Sequence, residues 1–418
     1  MTVHSRVSAA QSPAGQGRPQ VTELRLSAFA GHRATVLPLG PMTLLTGPSG
    51  SGKSTALGAY EALARLGAGA ELSDVFVDPV ACVPERARAD RERRRGFRIG
   101  CTVDGPAGAV RLDVAVQAEP ELRVVGERLT REGLVLLETA LRDPGRRVVQ
   151  AAWHTAGQAP VTRAPMPDDR LGTALVPLRV AGKTDGQRLV LAAAEQVVVA
   201  LRSAFACDPR PGRMRAPVPA GLVGAGHLLG GCDNLAEVLR RTRTECAVRH
   251  GMLVSAVRSG CAGPVADVFA EETEDGAVRA VIDRGGGVRT PLGRLGDGEL
   301  RYLALALVLL TGPGVLAVDP VVEVPQAYQC LTILADGLDR RLDARQAHAL
   351  GELAARMCAR GHIRLVGVVG NAAWATSWAT PRATDASGTP GVSGGPDVSG
   401  GSDVSGVSVV DLERDGTP

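Results

Sequence analysis

Apolar and polar residues alternate near the start of the chain, and a compact apolar run follows. Leu24, Leu26 and Ala28 alternate with polar neighbours, which is the two-residue period of a strand with one buried face. The run Met42–Thr46 indicates a short buried strand. After a glycine-rich segment, apolar side chains recur at helical spacing over residues 53–67. The pattern therefore predicts strands, a loop and a helix in that order.

Further elements are expected at longer intervals along the chain. Strand-like segments lie at 98–103, 109–116, 121–125 and 134–137. The other predicted elements are helices at 189–201, 234–257 and 299–310, a hairpin turn at Asp275-Gly276, and strands at 315–318, 363–369 and 409–412. Strands mixed with helices predict an α/β fold.

Composition narrows the class of protein. The 418 residues are 44% apolar with a formal charge of +3, which is typical of a globular protein. No apolar stretch is long enough to span a membrane without interruption, and residues 1–20 do not resemble a signal peptide. The eight cysteines show no metal-binding spacing, so we expect reduced thiols and a cytoplasmic protein without a membrane partner. Arginine supplies 45 of the 47 basic residues, and the only lysines are Lys53 and Lys183.

One segment carries a specific chemical signal. It fits GxxxxGK[ST] in full and consists of Gly47, Pro48, Ser49, Gly50, Ser51, Gly52, Lys53, Ser54 and Thr55. Glycines let consecutive N–H groups point at phosphate oxygens, and the following helix directs its positive end at the same anion. Lys53 is expected to reach the β- and γ-phosphates, and Ser54 to ligate Mg²⁺. The segment predicts binding of a nucleoside triphosphate, ATP with Mg²⁺.

Two later segments could complete such a site. The predicted strand at 315–318 leads into Asp319, whose carboxylate is expected to hold the Mg²⁺ shell. Upstream, a glycine-bearing turn opens an apolar helix and consists of Leu295, Gly296, Asp297, Gly298 and Glu299. A second helix N-terminus could bind the γ-phosphate, in its own chain or in a partner.

On these residues the chain resembles the RecF/SMC-like branch of ABC-type ATPases, an AAA-family group of ATP-binding proteins. The glycine-rich segment resembles the Walker A loop, 315–319 resembles Walker B, and 295–299 is similar to the signature loop. The resemblance implies an α/β P-loop NTPase head with an antiparallel β lobe and a partly helical insertion. It also implies a homodimer through ATP, in which each signature loop acts in trans on the partner's nucleotide.

Composition and the resemblance together suggest how the chain is divided. The expected segments are a disordered tail at 1–20, head parts at 21–140 and 285–383, an insertion at 141–284, a Gly/Ser-rich loop at 384–406, and an edge strand with a tail at 407–418.

Several positions depart from the family pattern. The family places a catalytic Glu after the Walker B Asp, and here that position is Pro320, with Glu323 as a possible substitute. Gly296 replaces the signature serine, and Gly370-Asn371 stands where a switch histidine is expected. Nucleotide binding is therefore expected with slow hydrolysis at most, so an enzyme activity stays open.

The residues leave other functions open. The arginines between Arg86 and Arg98 could contact DNA phosphates, as the family resemblance implies, or form a solvated loop in an arginine-biased chain. The ATPase subunit of a transporter is one alternative. Another is a regulatory or scaffold protein that holds ATP without hydrolysing it.

Overall fold

The computed structural model describes residues 17–156, 160–219, 226–312, 314–318, 325, 328–379 and 406–412. The expected tail at 1–20, apart from its last four residues, lies outside this part of the chain, as does the Gly/Ser-rich loop apart from Gly406. Asp319, Pro320 and Glu323 also lie outside it.

The elements alternate between strands and helices, as the α/β prediction requires. The strands are β1 (Gln20–Phe29), β2 (His32–Pro38), β3 (Met42–Thr46), β4 (Arg95–Asp104), β5 (Val110–Glu119), β6 (Arg123–Arg131), β7 (Leu134–Ala140), β8 (Val148–His154), β9 (Val161–Pro167), β10 (Ala204–Cys207), β11 (Asp267–Glu272), β12 (Val278–Asp283), β13 (Arg289–Pro291), β14 (Leu331–Ala335), β15 (Ile363–Val368) and β16 (Val407–Asp411). The helices are α1 (Lys53–Gly67), α2 (Leu72–Val75), α3 (Gly172–Arg179), α4 (Asp185–Arg202), α5 (Pro211–Met214), α6 (Leu235–Glu245), α7 (Ala247–Gly260), α8 (Asp297–Leu310), α9 (Ala344–Ala359) and α10 (Ala372–Ala379).

Within the described residues these strands form three sheets. An antiparallel sheet has the order β2-β1-β4-β5-β6-β7-β8-β9. A parallel sheet has the order β10-β14-β15-β3-β16, and a small antiparallel sheet holds β11, β12 and β13. The fold is therefore α/β, with a parallel P-loop sheet beside an antiparallel β lobe.

Two hydrophobic clusters stabilise this arrangement. The first joins α6 to α9 with β10, β14 and the small sheet, and the second joins α1 and α4 with the antiparallel sheet. Helix α8 is buried from Leu300 to Leu310, so this helix is apolar on all its faces because it lies within the core. No helix among the described residues is both long and apolar enough to cross a membrane.

Two predicted elements are wrong. The helix expected at 234–257 is interrupted at Cys246, whose backbone is extended between α6 and α7. Thr242 and Thr244 near this break donate their hydroxyls to main-chain carbonyls of the preceding turn, a contact that competes with helix propagation. The strand expected at 315–318 does not form either, because only Leu316 makes a β-bridge, to Leu228.

Candidate functional site

The glycine-rich loop follows β3, an inner strand of the parallel sheet. Strand β3 is buried along its whole length and lies between β15 and β16. The chain leaves its carboxyl end at Gly47, and helix α1 begins at Lys53. Ligands usually bind at this edge of a parallel sheet, and a helix N-terminus there offers N–H groups to an anion. The predicted sequence of strand, loop and helix is confirmed.

Two glycines of the loop are held where a side chain would not fit. Gly47 has φ +132° and Gly52 has φ +91°, values that L side chains rarely adopt. A Cβ on Gly47 would come within 2.3 Å of the Leu412 carbonyl oxygen, and one on Gly52 within 2.5 Å of His32 Nε2. The absence of a side chain therefore lets the loop pack closely against the His32 side chain of β2 and against the Leu412 backbone, which follows β16.

The Lys53 ammonium lies over this loop. Its Nζ donates to the carbonyl oxygens of Gly47 at 2.7 Å and Pro48 at 2.8 Å. Charged phosphate oxygens are stronger acceptors of an ammonium hydrogen bond than neutral carbonyls are. Lys53 is thus placed to exchange loop carbonyls for an anionic ligand.

A carboxylate that the sequence analysis missed lies beside the start of α1. Asp336 directly follows β14, which is buried along its whole length and two strands away from β3. The Ser54 hydroxyl donates to Asp336 Oδ1 at 3.1 Å. A hydroxyl and a carboxylate together are the oxygen donors that Mg²⁺ uses in P-loop sites. The signal was present in the sequence, since the buried run Leu331–Ala335 ends at an aspartate just as 315–318 does.

The loop and the end of the parallel sheet enclose a cavity of about 590 Å³. Its lining includes Lys53, Ser54 and Thr55 of α1, Asp336, Gly337, Asp339 and Arg340 after β14, and Val368 and Gly370 at the end of β15. Asp339 accepts hydrogen bonds from the backbone N–H groups of Gly370 and Asn371. It thereby joins the turn after β14 to the segment after β15.

The segment similar to a signature loop lies elsewhere on the molecule. Its Gly296 caps α8, and the Gly296 N–H donates to Glu299 Oε2 at 3.2 Å. Asp297 forms ion pairs with Arg215 at 2.5 Å and with Arg341. None of residues 295–299, all of which the structure describes, lines the cavity at Lys53. The segment is therefore not part of the lining of its own chain's cavity.

Arg301 connects α8 to the cavity through the backbone. Its side chain is only 3% exposed and donates to Asp208 Oδ1 at 3.0 Å and to the Gly337 carbonyl at 3.0 Å. Arg301 therefore anchors the turn that follows Asp336.

His32 is a further residue that the sequence analysis did not identify with the loop. The side chain is 4% exposed, with Nε2 at 3.0 Å from the Gly52 carbonyl oxygen and Nδ1 at 3.1 Å from Thr35 Oγ1. Because a carbonyl can only accept, Nε2 carries the proton and donates. His32 therefore fixes the residue that caps α1.

Substituting His32 tests this contact. We expect His32→Leu to weaken ATP binding by about 1 kcal/mol, the net value of one hydrogen bond, because Gly52 loses its donor. His32→Gln retains an N–H near the same position and should restore most of the affinity. Calorimetric titration of both variants measures the difference, and equal losses in the two would contradict the role assigned to the hydrogen bond.

The arginine-rich segment lies before and within β4. Arg86, Arg88, Arg91 and Arg93 are exposed, whereas Arg95 pairs with Glu119. Hydrogen bonds from the Arg94 main chain and side chain lower the pKa of the exposed Asp90 carboxyl. Phe97 is buried and packs edge-on against Phe29 and Phe76, so its ring does not face solvent.

Comparisons with known proteins agree with the geometry of the loop. Residues 27–65 match the family model described as the P-loop containing region of AAA domain. This region contains β3, the glycine-rich loop and most of α1. A search of curated proteins finds no match to the chain.

Solved structures of SMC heads are similar to this chain at low identity. An SMC head bound to the C-terminal winged-helix domain of ScpA is 12% identical with a TM-score of 0.45, over 84% of this chain and 90% of the other. The SMC head domain from Thermotoga maritima is 12% identical with a TM-score of 0.39, over 86% and 92%. An Smc head with an extended coiled coil, bound to the C-terminal domain of ScpA derived from Pyrococcus furiosus, is 9% identical with a TM-score of 0.44, over 86% and 91%.

The fold and the site define a P-loop nucleoside-triphosphate-binding protein. A buried parallel strand, a glycine-rich turn and a helix that begins with Lys53 converge on one cavity beside a Ser–Asp pair. Within that class, the loop region is similar to the P-loop of AAA domains. Such a fold binds a nucleotide together with a divalent cation.

Proposed function

We propose that the protein is an ATP-binding head of the RecF/SMC-like ABC type, in which nucleotide switches dimerisation or partner binding and hydrolysis is slow or absent. The backbone of 47–52 and the Lys53 ammonium hold the phosphates, and Ser54 and Asp336 hold Mg²⁺. Asp336 thus takes the role that the sequence suggested for Asp319. The observation that carries the proposal is a complete phosphate loop next to a turn with no carboxylate at residue 337.

The turn after β14 supports slow hydrolysis. The family resemblance places a catalytic Glu directly after the metal-binding Asp, and here that residue is Gly337. Asp339 also lines the cavity, but both of its oxygens accept hydrogen bonds from backbone N–H groups. Bound Mg²⁺ would neutralise phosphate charge, and a general base for the attacking water would be missing at residue 337.

The position of the α8 N-terminus supports a switch between molecules. Gly296 and Arg294 are exposed, and none of residues 295–299 lines the cavity of their own chain. A triphosphate bound in one molecule could therefore meet this helix N-terminus of another, where the N–H groups favour an anion. Nucleotide would then lie between two copies of the chain.

Molar mass and turnover test the proposal together. We expect light scattering to show a dimer with ATP and Mg²⁺ and a monomer with ADP or without nucleotide. Turnover of the same sample should stay below roughly 1 s⁻¹, the low end of usual enzyme rates. Lys53→Ala should remain a monomer in all three conditions, because it does not retain the triphosphate.

Other results would contradict parts of the proposal. Faster turnover would refute slow hydrolysis, and a mass independent of nucleotide would refute the dimerisation switch. Co-purification with a membrane protein would favour a transporter ATPase instead. Binding of ATP with neither turnover, change of mass nor partner binding would favour a scaffold role.

A further inference from the structure

The turn after Asp336 places a guanidinium where a side chain of residue 337 would lie. Gly337 has φ +60°, and its carbonyl accepts from the Arg340 N–H at 3.0 Å, so the chain folds back on itself. A Cβ on Gly337 would meet Arg340 Nε at 2.8 Å and Cζ at 3.0 Å. The space next to the metal-binding aspartate is therefore occupied by a permanent cation.

Arg340 is held less firmly than Arg301, which contacts the same turn. Its nearest carboxylate is Asp208 Oδ1 at 3.6 Å, and Arg301 already donates to that oxygen at 3.0 Å. The Arg340 side chain is 50% exposed, whereas Arg301 is 3% exposed. Arg301 thus fixes the turn through the Gly337 carbonyl, and the guanidinium of Arg340 can move toward a stronger anion.

The cavity offers such an anion when a triphosphate is bound. Arg340 lines it together with Lys53, Ser54 and Asp336. Lys53 approaches from the P-loop side of the sheet, and Arg340 from the β14 side. A planar guanidinium binds two phosphate oxygens at once, and it cannot take a proton from water. A cation at this place strengthens binding of a phosphate without supplying a general base.

We propose that Arg340 binds the γ-phosphate of ATP from within the same chain and so makes the site selective for a triphosphate over a diphosphate. This inference rests on the proposed function and deepens it. A carboxylate next to Asp336 would activate water, whereas the guanidinium stabilises the bound nucleotide before reaction. The site then reports whether ATP or ADP is present, and turnover is not needed for that discrimination.

Binding of ATP and ADP to Arg340 variants tests the proposal. We expect Arg340→Ala to weaken the binding of ATP by roughly 10- to 100-fold, the range of a charge-assisted hydrogen bond. The affinity for ADP should be unchanged. Arg340→Lys should keep most of the preference for ATP because it keeps the charge. Arg360→Ala is the matched control, since Arg360 is exposed and precedes the opposite end of β15.

Each outcome separates this inference from the proposed function. Equal losses of ATP and ADP in Arg340→Ala, or no loss of either, would overturn the role of Arg340. A fall in turnover with unchanged affinities would also overturn it, because Arg340 would then act only in the transition state. Failure of the wild type to bind either nucleotide would refute the proposed function itself. Thermal melting of Arg340→Ala without nucleotide shows whether the variant is folded. If it is misfolded, the binding of ATP and ADP is measured on Arg340→Gln instead.

Discussion

Lys53→Ala is expected to weaken the binding of ATP by about 2–4 kcal/mol, because a charge-assisted contact to the phosphates is lost. In the structure the ammonium is held by the Gly47 and Pro48 carbonyls, at the loop that would cradle the phosphates. An arginine at this position keeps the charge but needs room for a planar fork, so Lys53→Arg should not restore full affinity. Isothermal titration with ATP and Mg²⁺ measures both variants.

The chain provides a matched control for this experiment. Lys183 is the only other lysine, and it is exposed before α4. Lys183→Ala removes the same charge and should leave ATP affinity unchanged. Similar affinities for wild type and Lys53→Ala would show that the loop does not bind the triphosphate.

Asp336→Asn is expected to reduce the Mg²⁺-dependent part of ATP affinity by roughly 10- to 100-fold, as loss of a metal-site carboxylate typically does. Asp336 Oδ1 lies 3.1 Å from the Ser54 hydroxyl, so both oxygens are close enough to bind the same cation. Titrations with ATP in Mg²⁺ and in EDTA separate the part of the affinity that depends on Mg²⁺ from the part that does not. Without the cation, the variant and the wild type should differ little.

Asp319→Asn is the informative comparison, because both aspartates follow apolar runs. We expect this variant to bind ATP and Mg²⁺ as the wild type does. If Asp319→Asn loses the Mg²⁺-dependent part of ATP affinity and Asp336→Asn retains it, the assignment of Asp336 to the metal site is refuted.

The phosphate loop could be predicted from the sequence because all of its chemistry is local. Strand β3, the glycines and helix α1 are contiguous, and their spacing alone specifies a strand, a turn and a helix. The prediction needed no knowledge of which strands are neighbours. The same holds for α4, whose apolar stripe marks a helix wherever it packs.

The metal-site carboxylate could not be chosen in this way. Two apolar runs end in aspartate, and only sheet order decides between them: β14 is two strands from β3, whereas 315–318 makes a single bridge to Leu228. His32 and Arg340 reach the site through turns and tertiary packing, which leave no periodic signal in the sequence. Non-local contacts therefore determined what the sequence left open.

Strand β16 has a consequence for how the nucleotide site is assembled during synthesis. It borders β3, and the hydroxyl oxygens of Thr43 and Ser408 lie 3.2 Å apart across the two strands. The two residues are separated by 365 positions in the sequence. At roughly 5–20 residues per second, a ribosome needs tens of seconds to pass from one to the other. During most of that interval β3 lacks both of its neighbours, β15 and β16, and Gly47 lacks the Leu412 backbone against which it packs. A nascent chain should therefore acquire its mature affinity for nucleotide only after β16 has left the ribosome.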